Sequence, residues 1–173
     1  RRDLRLKDNP ALAAALSHGE QVIPLFILDP FFAASAHVGD ARRAFLYDGL
    51  RQLDDDLRLK GSRLLLRTGE PTAVFSHLLA ESGATAIFAE PDYTRYARRR
   101  DEAVAADHPL TLVGSPAIRP PGQVLKKDGN PYTVFTPFSK MWKGQALPRR
   151  NELLTTPELI RSPTDLKSDP LPS

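Results

Sequence analysis

Three arginines crowd the first five residues, Arg1-Arg2-Asp3-Leu4-Arg5, and a helix start follows at once in Leu6-Lys7-Asp8-Asn9-Pro10-Ala11-Leu12. Asp8 or Asn9 can cap the helix, Pro10 suits its first turn, and Ala11 to Leu16 propagate it until Gly19. An arginine-rich loop directly before a helix N-terminus is suited to holding an anionic or polar group. A second polar loop, Glu90-Pro91-Asp92-Tyr93-Thr94-Arg95-Tyr96, brings a carboxylate and two tyrosines to the start of another helix. If both loops lie on one rim, Arg1, Arg2, Arg5 and Asp92 enclose a crevice suited to a flat, polar-edged heteroaromatic ligand. A plainer reading competes: Asp92 or Thr94 caps the following helix, and the arginines pair with local carboxylates.

Other familiar chemistries are missing. The ten glycines are at least seven residues apart, which excludes both GxGxxG and the Walker A loop. His18, His37, His77 and His108 have no companion at metal-ligand spacing, no GxSxG elbow is present, and there is no cysteine to serve as nucleophile or thiolate ligand. No self-contained hydrolase, kinase or metalloenzyme is expected, and no catalytic or metal-binding residue is assigned. The excess of charge is small, +3 from 24 basic and 21 acidic residues, so nucleic acid is permitted and not implied. Arg95, Arg98, Arg99, Arg100, Asp101 and Glu102 read most simply as a solvated helix face. No apolar run is long enough to span a bilayer and no signal peptide is visible, so a soluble cytoplasmic protein without membrane contact is expected.

The elements that must position these loops alternate between short apolar runs and helical patterns. Gln21–Leu28 is a nearly continuous apolar strand interrupted by Pro24, which suits an irregular or edge position. Asp40 opens a helix to about Lys60, with Leu46, Leu50, Leu53 and Leu57 on one face and Asp54 to Asp56 turned to water. Ser62–Arg67 is a strand, Pro71 starts a helix, Thr85–Glu90 is a strand, Tyr93–Asp107 a helix and Leu110–Val113 the last strand. The entry loop itself reads as the exit from a strand upstream of Arg1. The expected fold class is therefore α/β, a Rossmann-like doubly wound parallel sheet of about five strands whose first strand is missing, in the order 3-2-1-4-5. Without that central strand, Gln21–Leu28 and Thr85–Glu90 are expected to close together, or a foreign segment, a neighbouring chain or a strand trimmed from the sequence to account for the gap.

From Pro116 the composition changes, with ten of the sixteen prolines in the last third. Lys126-Lys127-Asp128-Gly129-Asn130 is a turn and Pro137–Lys143 a brief helix. The expected organisation is an α/β domain over 1–115, a closing hairpin and short helix over 116–144, and a linker from 145 to 173.

Several of these segments closely resemble the DNA photolyase and cryptochrome family. They are RRDLRLKDNPAL at the start, Arg98-Arg99-Arg100-Asp101, and the run Pro120-Pro121-Gly122 followed by Tyr132-Thr133-Val134-Phe135-Thr136-Pro137-Phe138 and Trp142. The resemblance implies the N-terminal α/β antenna domain of a photolyase, which repairs cyclobutane pyrimidine dimers with blue light. FAD would belong to an absent helical domain that is this domain's own partner, and the full-length protein would act on UV-damaged DNA. This chain alone would harvest light and be inactive in repair.

The antenna pigment implied is 8-hydroxy-5-deazaflavin, methenyltetrahydrofolate or a flavin. Arg2 and Arg5 match the arginines of the opening motif, Asp29 and Arg42 match positions lining the deazaflavin pocket, and Asp92 matches a carboxylate on the pigment's ring edge. Thr94 stands where folate- and deazaflavin-binding members commonly place glutamate, which removes an ionised acceptor. Phe31, Phe32 and Phe45 fit either the crevice rim or ordinary packing. The rival functions are a cryptochrome photoreceptor domain and a general nucleotide-binding α/β domain.

Overall fold

The computed structural model describes residues 3–33 and 38–171; Arg1 and Arg2 of the entry loop lie outside the described residues. Helix α1 (Pro10–His18) begins where its capping sequence places it, with Asn9 Oδ1 accepting the Leu12 amide at 2.9 Å and Pro10 in the first turn. Asp8 sits at φ 51°, a left-handed conformation that aspartate tolerates better than most residues. Its amide donates to the Leu154 carbonyl at 3.0 Å and its carboxylate accepts from the Leu154 amide at 3.2 Å, so this turn is clamped from the far end of the chain.

Strand β1 (Leu25–Leu28) pairs in parallel with β2 (Leu65–Thr68), Leu25 opposite Leu65 and Leu28 opposite Thr68. Proline explains why β1 is shorter than the apolar run Gln21–Leu28: Pro24 has no N–H to continue the ladder, and only its carbonyl joins, accepting Leu65 N at 2.8 Å. Strands β3 (Ile87–Ala89) and β4 (Leu110–Leu112) form a second parallel pair. The architecture is the expected α/β one with parallel strands, divided into two sheets of two strands each. Contrary to the expectation of closure, β1 and β3 do not come together, and an apolar cavity of about 590 Å³ separates them.

Helices cover both faces. Successive side chains of a strand point to opposite sides, so Phe26 and Leu66 turn towards the cluster of Leu50, Leu57, Leu64 and Ile160, while Leu25 and Leu65 meet Leu78 and Leu166. The first cluster is built by α3 (Asp40–Arg58), with Leu12 and Leu16 of α1 packed against it. On the other side stand α4 (Pro71–Ser82) and α5 (Arg95–Asp107). Gly114, at φ +79°, passes so close to α1 that a Cβ there would lie 2.6 Å from the Pro10 ring.

Leu46, Leu50, Leu53 and Leu57 of α3 face the core as their spacing requires. Asp54 departs from the expected solvent-facing row. Its Oδ1 accepts the Leu64 amide at 2.7 Å and its Oδ2 accepts Arg58 Nε at 2.9 Å, and only 16% of the side chain is exposed. It therefore satisfies the amide at the entrance to β2. Asp54→Ala, which strands that N–H, is expected to lower unfolding stability by about 1–3 kcal/mol in chemical denaturation, with Asp54→Asn losing less.

Residues after Lys143 do more than link. Leu66 N donates to Ser168 Oγ at 2.9 Å and Asp169 N to the Leu66 carbonyl at 2.9 Å, so the segment straps the outer edge of β2. Val22 N also bonds the Arg161 carbonyl at 2.8 Å, and Ile160 is fully buried. Between the strap and β4 lie an antiparallel bridge, Leu125 with Pro131, then α6 (Phe135–Lys143) and a short 3-10 turn at Arg150–Glu152. The Arg119 guanidinium lies 5.2 Å from the Trp142 ring and donates to the carbonyls of Gln145 and Ala146 at 2.9 and 2.8 Å, tying this region together. Among the described residues no helix is long and apolar enough to cross a membrane.

Candidate functional site: an acid-lined crevice at the strand ends

Each of β1, β2 and β3 runs out into an acid followed by proline: Asp29-Pro30, Glu70-Pro71 and Glu90-Pro91. Proline favours the first turn of a helix, so in two of the three cases the acid is left at the sheet rim, just before a helix. After β1 that helix is a single turn, α2 (Pro30–Ala33), and after β2 it is α4, whose N-cap is Glu70. Glu70 Oε2 accepts the Ala73 amide at 2.9 Å, and this bond holds its carboxyl below the usual range.

The third acid joins the two loops singled out from sequence. Arg5 Nη2 donates to Glu90 Oε1 at 2.6 Å and Arg5 Nη1 to Oε2 at 3.5 Å, while Arg5 also donates to the Asp8 carbonyl at 3.0 and 2.7 Å. Glu90 is only 2% exposed. The entry loop and the loop after β3 are thus neighbours on one rim, and the Arg5 guanidinium is the clasp between them.

A crevice of about 430 Å³ is lined by the acids that follow β1 and β2 together with α5: Asp29, Pro30, Phe31, Glu70, Pro71, Tyr96, Arg99 and Arg100. Its wall is aromatic: Phe31 stacks on Tyr96 with centroids 4.1 Å apart and planes at 10°, and Phe32 meets the same ring edge-on at 5.0 Å. The Tyr96 hydroxyl donates to Asp29 Oδ2, Asp29 Oδ1 accepts the Phe31 amide at 2.9 Å, and the Arg100 guanidinium lies 5.9 Å from the Tyr96 ring. Asp29 therefore fixes both members of the stack.

Burial first, and then the hydrogen bond and negative charge of Asp29, push the Tyr96 hydroxyl up to about 12. A raised acid pKa means that the native state holds its proton more tightly, so this contribution to stability is intact below about pH 10 and fades as pH rises towards 12. A spectrophotometric titration is expected to show one late tyrosine with a midpoint near 12, absent from Tyr96→Phe.

Of the residues marked from sequence, Asp29 lines this crevice and Arg5 the neighbouring cavity. Asp92, Thr94 and Arg42 line neither. Thr94 N-caps α5, its Oγ1 accepting the Ala97 amide at 3.3 Å, and Asp92 Oδ1 accepts the Thr94 amide at 3.0 Å. Arg42 is exposed in the first turn of α3. Arg2 lies outside the described residues. Sequence reasoning passed over Glu70, Arg99 and Arg100 as members of the crevice, although the repeated acid-proline pair at strand ends was a signal for Glu70. Phe31 and Phe32 stay 58% and 46% exposed on the rim, and Phe45 is 82% exposed on α3, away from any core. Among the described residues no group of three or more acids and histidines is arranged to hold a metal ion.

Comparison with known proteins agrees with this architecture. The family model for DNA photolyase matches residues 1–158. Deoxyribodipyrimidine photo-lyase of Synechococcus is 40% identical over 167 residues, covering 92% of this chain and 34% of that protein. A class III photolyase from Agrobacterium tumefaciens superposes with a TM-score of 0.88 at 29% identity, over 99% of this chain and 36% of its own. An archaeal photolyase from Sulfolobus tokodaii, described with two FAD molecules and a novel light-harvesting cofactor, superposes with a TM-score of 0.73 at 30% identity, over 94% of this chain and 36% of that one. The chain thus spans about a third of these relatives' length. With parallel strands, a clasped arginine loop and a profile match over most of its length, it belongs to the DNA photolyase family.

Proposed function

We propose that this chain is the light-harvesting α/β portion of a deoxyribodipyrimidine photolyase, and that its crevice holds the antenna pigment. The observation that carries the reading is the Asp29–Tyr96–Phe31 arrangement at the carboxyl ends of the strands, where open α/β sheets bind ligands. The crevice volume of about 430 Å³ falls within the range of roughly 300–1,000 Å³ usual for small-molecule sites. Phe31 offers a ring face for stacking, the carboxylates of Asp29 and Glu70 accept from ring N–H groups, and Arg99 and Arg100 donate to carbonyls or phosphate. Each carboxylate has acceptor capacity beyond the bonds described.

A tricyclic flavin or 8-hydroxy-5-deazaflavin suits this set better than methenyltetrahydrofolate. The former share an edge of alternating carbonyls and N–H, which carboxylate and guanidinium groups complement, and the two FAD molecules of the Sulfolobus protein favour a flavin. Such a pigment would absorb blue light and pass the energy onward; the chain's part is to hold the ring rigid and shield one face from water. Arg5 serves this by fixing the rim, and Arg2, Asp92 and Thr94 remain candidates for the pigment's outer groups, whereas Arg42, exposed on α3, lines neither cavity.

Residues 1–115 form the pigment-holding unit in this reading, 116–144 the closing hairpin and short helix, and 145–173 the start of the run towards a helical domain that binds FAD. Support for that partner comes from apolar side chains left in water on and beside α6: Val134 is 61% exposed, Phe135 76% and Leu147 59%. UV-damaged DNA would be met by the full-length protein. The test is thymine-dimer repair by full-length, FAD-loaded protein under blue light, with an action spectrum. Repair with a second band matching the pigment is expected; absence of repair by fully loaded protein would overturn the photolyase reading and favour a cryptochrome-like photoreceptor.

A further inference from the structure

We infer that the outer edge of β2 is a latent docking surface for a second copy of this chain, held shut by the strap over residues 160–169 and open to antiparallel pairing with the same edge of that copy once the strap lifts. The feature that carries this is a row of outward-facing amides, each closed by a side chain where a neighbouring strand would ordinarily close it.

The direction of the ladder fixes which amides these are. Leu65 N donates to the Pro24 carbonyl at 2.8 Å and Gly69 N to the Leu28 carbonyl at 3.3 Å, so these positions face β1. In a parallel ladder alternate residues face opposite neighbours, and Leu64, Leu66 and Thr68 therefore turn their N–H and C=O groups outward. Leu64 N donates to Asp54 Oδ1 at 2.7 Å, Leu66 N to Ser168 Oγ at 2.9 Å and Thr68 N to Asp169 Oδ2 at 2.6 Å. One backbone bond joins them, from Asp169 N to the Leu66 carbonyl at 2.9 Å. An uncovered row of this kind is a template for another chain, and side-chain acceptors satisfy it without presenting a new edge in turn.

The strap also covers apolar ground on both faces of β2. Ile160 packs with Leu50, Leu57, Leu64 and Leu66, and Leu166 with Leu65 and Leu78. Lifting the strap bares edge and leucines together, and a second β2 brings a matching set of both. A twofold axis through Leu66 lets that residue exchange two backbone bonds with its mate and lets Thr68 N reach the Leu64 carbonyl across the axis in each direction, while Leu64 N stays with Asp54. This register sets Arg67 opposite Leu65 and Arg63 opposite Gly69, so no like charges stand directly across from one another. Arg67 is moreover already paired with Glu81 at 2.7 Å. The contact is isologous, uses up the edge of each copy and stops at two.

The experiment compares the 173-residue chain with its double variant Ser168→Ala, Asp169→Pro, which removes all three bonds from the strap to β2 and leaves β2 itself unchanged. Sedimentation velocity over a concentration series is expected to show the unaltered chain as a monomer and the variant as a dimer, with a dissociation constant at least about tenfold lower, the scale of one or two net hydrogen bonds. Adding Thr68→Pro takes away an outward donor, spares the ladder to β1 and is expected to return the monomer. A double variant no more associated than the unaltered chain would overturn the inference, as would association that survives Thr68→Pro or continues beyond two copies. Should circular dichroism show the double variant unfolded, Asp169→Ala, which keeps the backbone bond to Leu66, carries the same comparison with the same outcomes.

Discussion

Arg5→Ala is expected to destabilise the protein by about 2–4 kcal/mol, because it removes the charge-assisted bonds that Arg5 makes to the buried carboxylate of Glu90 and to the Asp8 carbonyl. Glu90 is 2% exposed while Arg5 is 36% exposed, so the loss falls on the acid's burial and is moderated by water's access to the arginine side. For a chain of this size each kcal/mol corresponds to roughly 2–4 °C in melting temperature. The same substitution frees the Asp8 carbonyl, which accepts two bonds from Arg5 at 3.0 and 2.7 Å, and loosens the turn that precedes α1. The double variant Arg5→Met, Glu90→Met removes both charges and is expected to recover most of the loss. If the double variant is no more stable than Arg5→Ala, the clasp is not an interaction between these two groups.

The second large effect concerns the crevice. Asp29→Ala removes the acceptor shared by the Tyr96 hydroxyl and the Phe31 amide, so one change releases both stacked rings. Flavin affinity, read from fluorescence quenching of riboflavin, is expected to fall by about 30-fold or more, the scale of a lost charge-assisted bond together with lost preorganisation. Phe31→Ala removes the exposed ring face and is expected to weaken binding about tenfold, within the range of aromatic pair energies. Arg42→Ala, on an exposed turn of α3 that lines neither cavity, is expected to leave the affinity unchanged. A uniform response across all three variants would argue against the crevice as the binding place.

Much of this arrangement was legible in the letters. Asn9-Pro10, Gly61 and Thr94 mark helix boundaries by local capping chemistry that needs no tertiary information, and the helix starting points follow them. The closeness of the arginine loop to the loop after β3 could be argued from topology, and Arg5–Glu90 realises it. Roles within the rim were harder to see, because they depend on which acid each strand end delivers to which neighbour. Arg5 reads as ligand-binding from its surroundings in sequence, yet Glu90, 85 positions away, is its partner.

Asp54 looked like one of three solvated acids in a row, and only the return of the chain at Leu64 turned it inward. The strap formed by residues 160–169 had no local signal: Ile160 and Leu166 sit in a proline-rich tail without periodicity, and their burial depends on the free edge of β2.

The most direct test of the pigment site is a map of backbone amide shifts in the isotopically labelled chain as riboflavin is added. The account predicts perturbations concentrated at Asp29 to Phe32, Gly69 to Glu70 and Tyr96 to Arg100, and their loss in Asp29→Ala. Saturable binding with shifts confined to α6 or to the cavity between β1 and β3, and none at Phe31 or Tyr96, would contradict it.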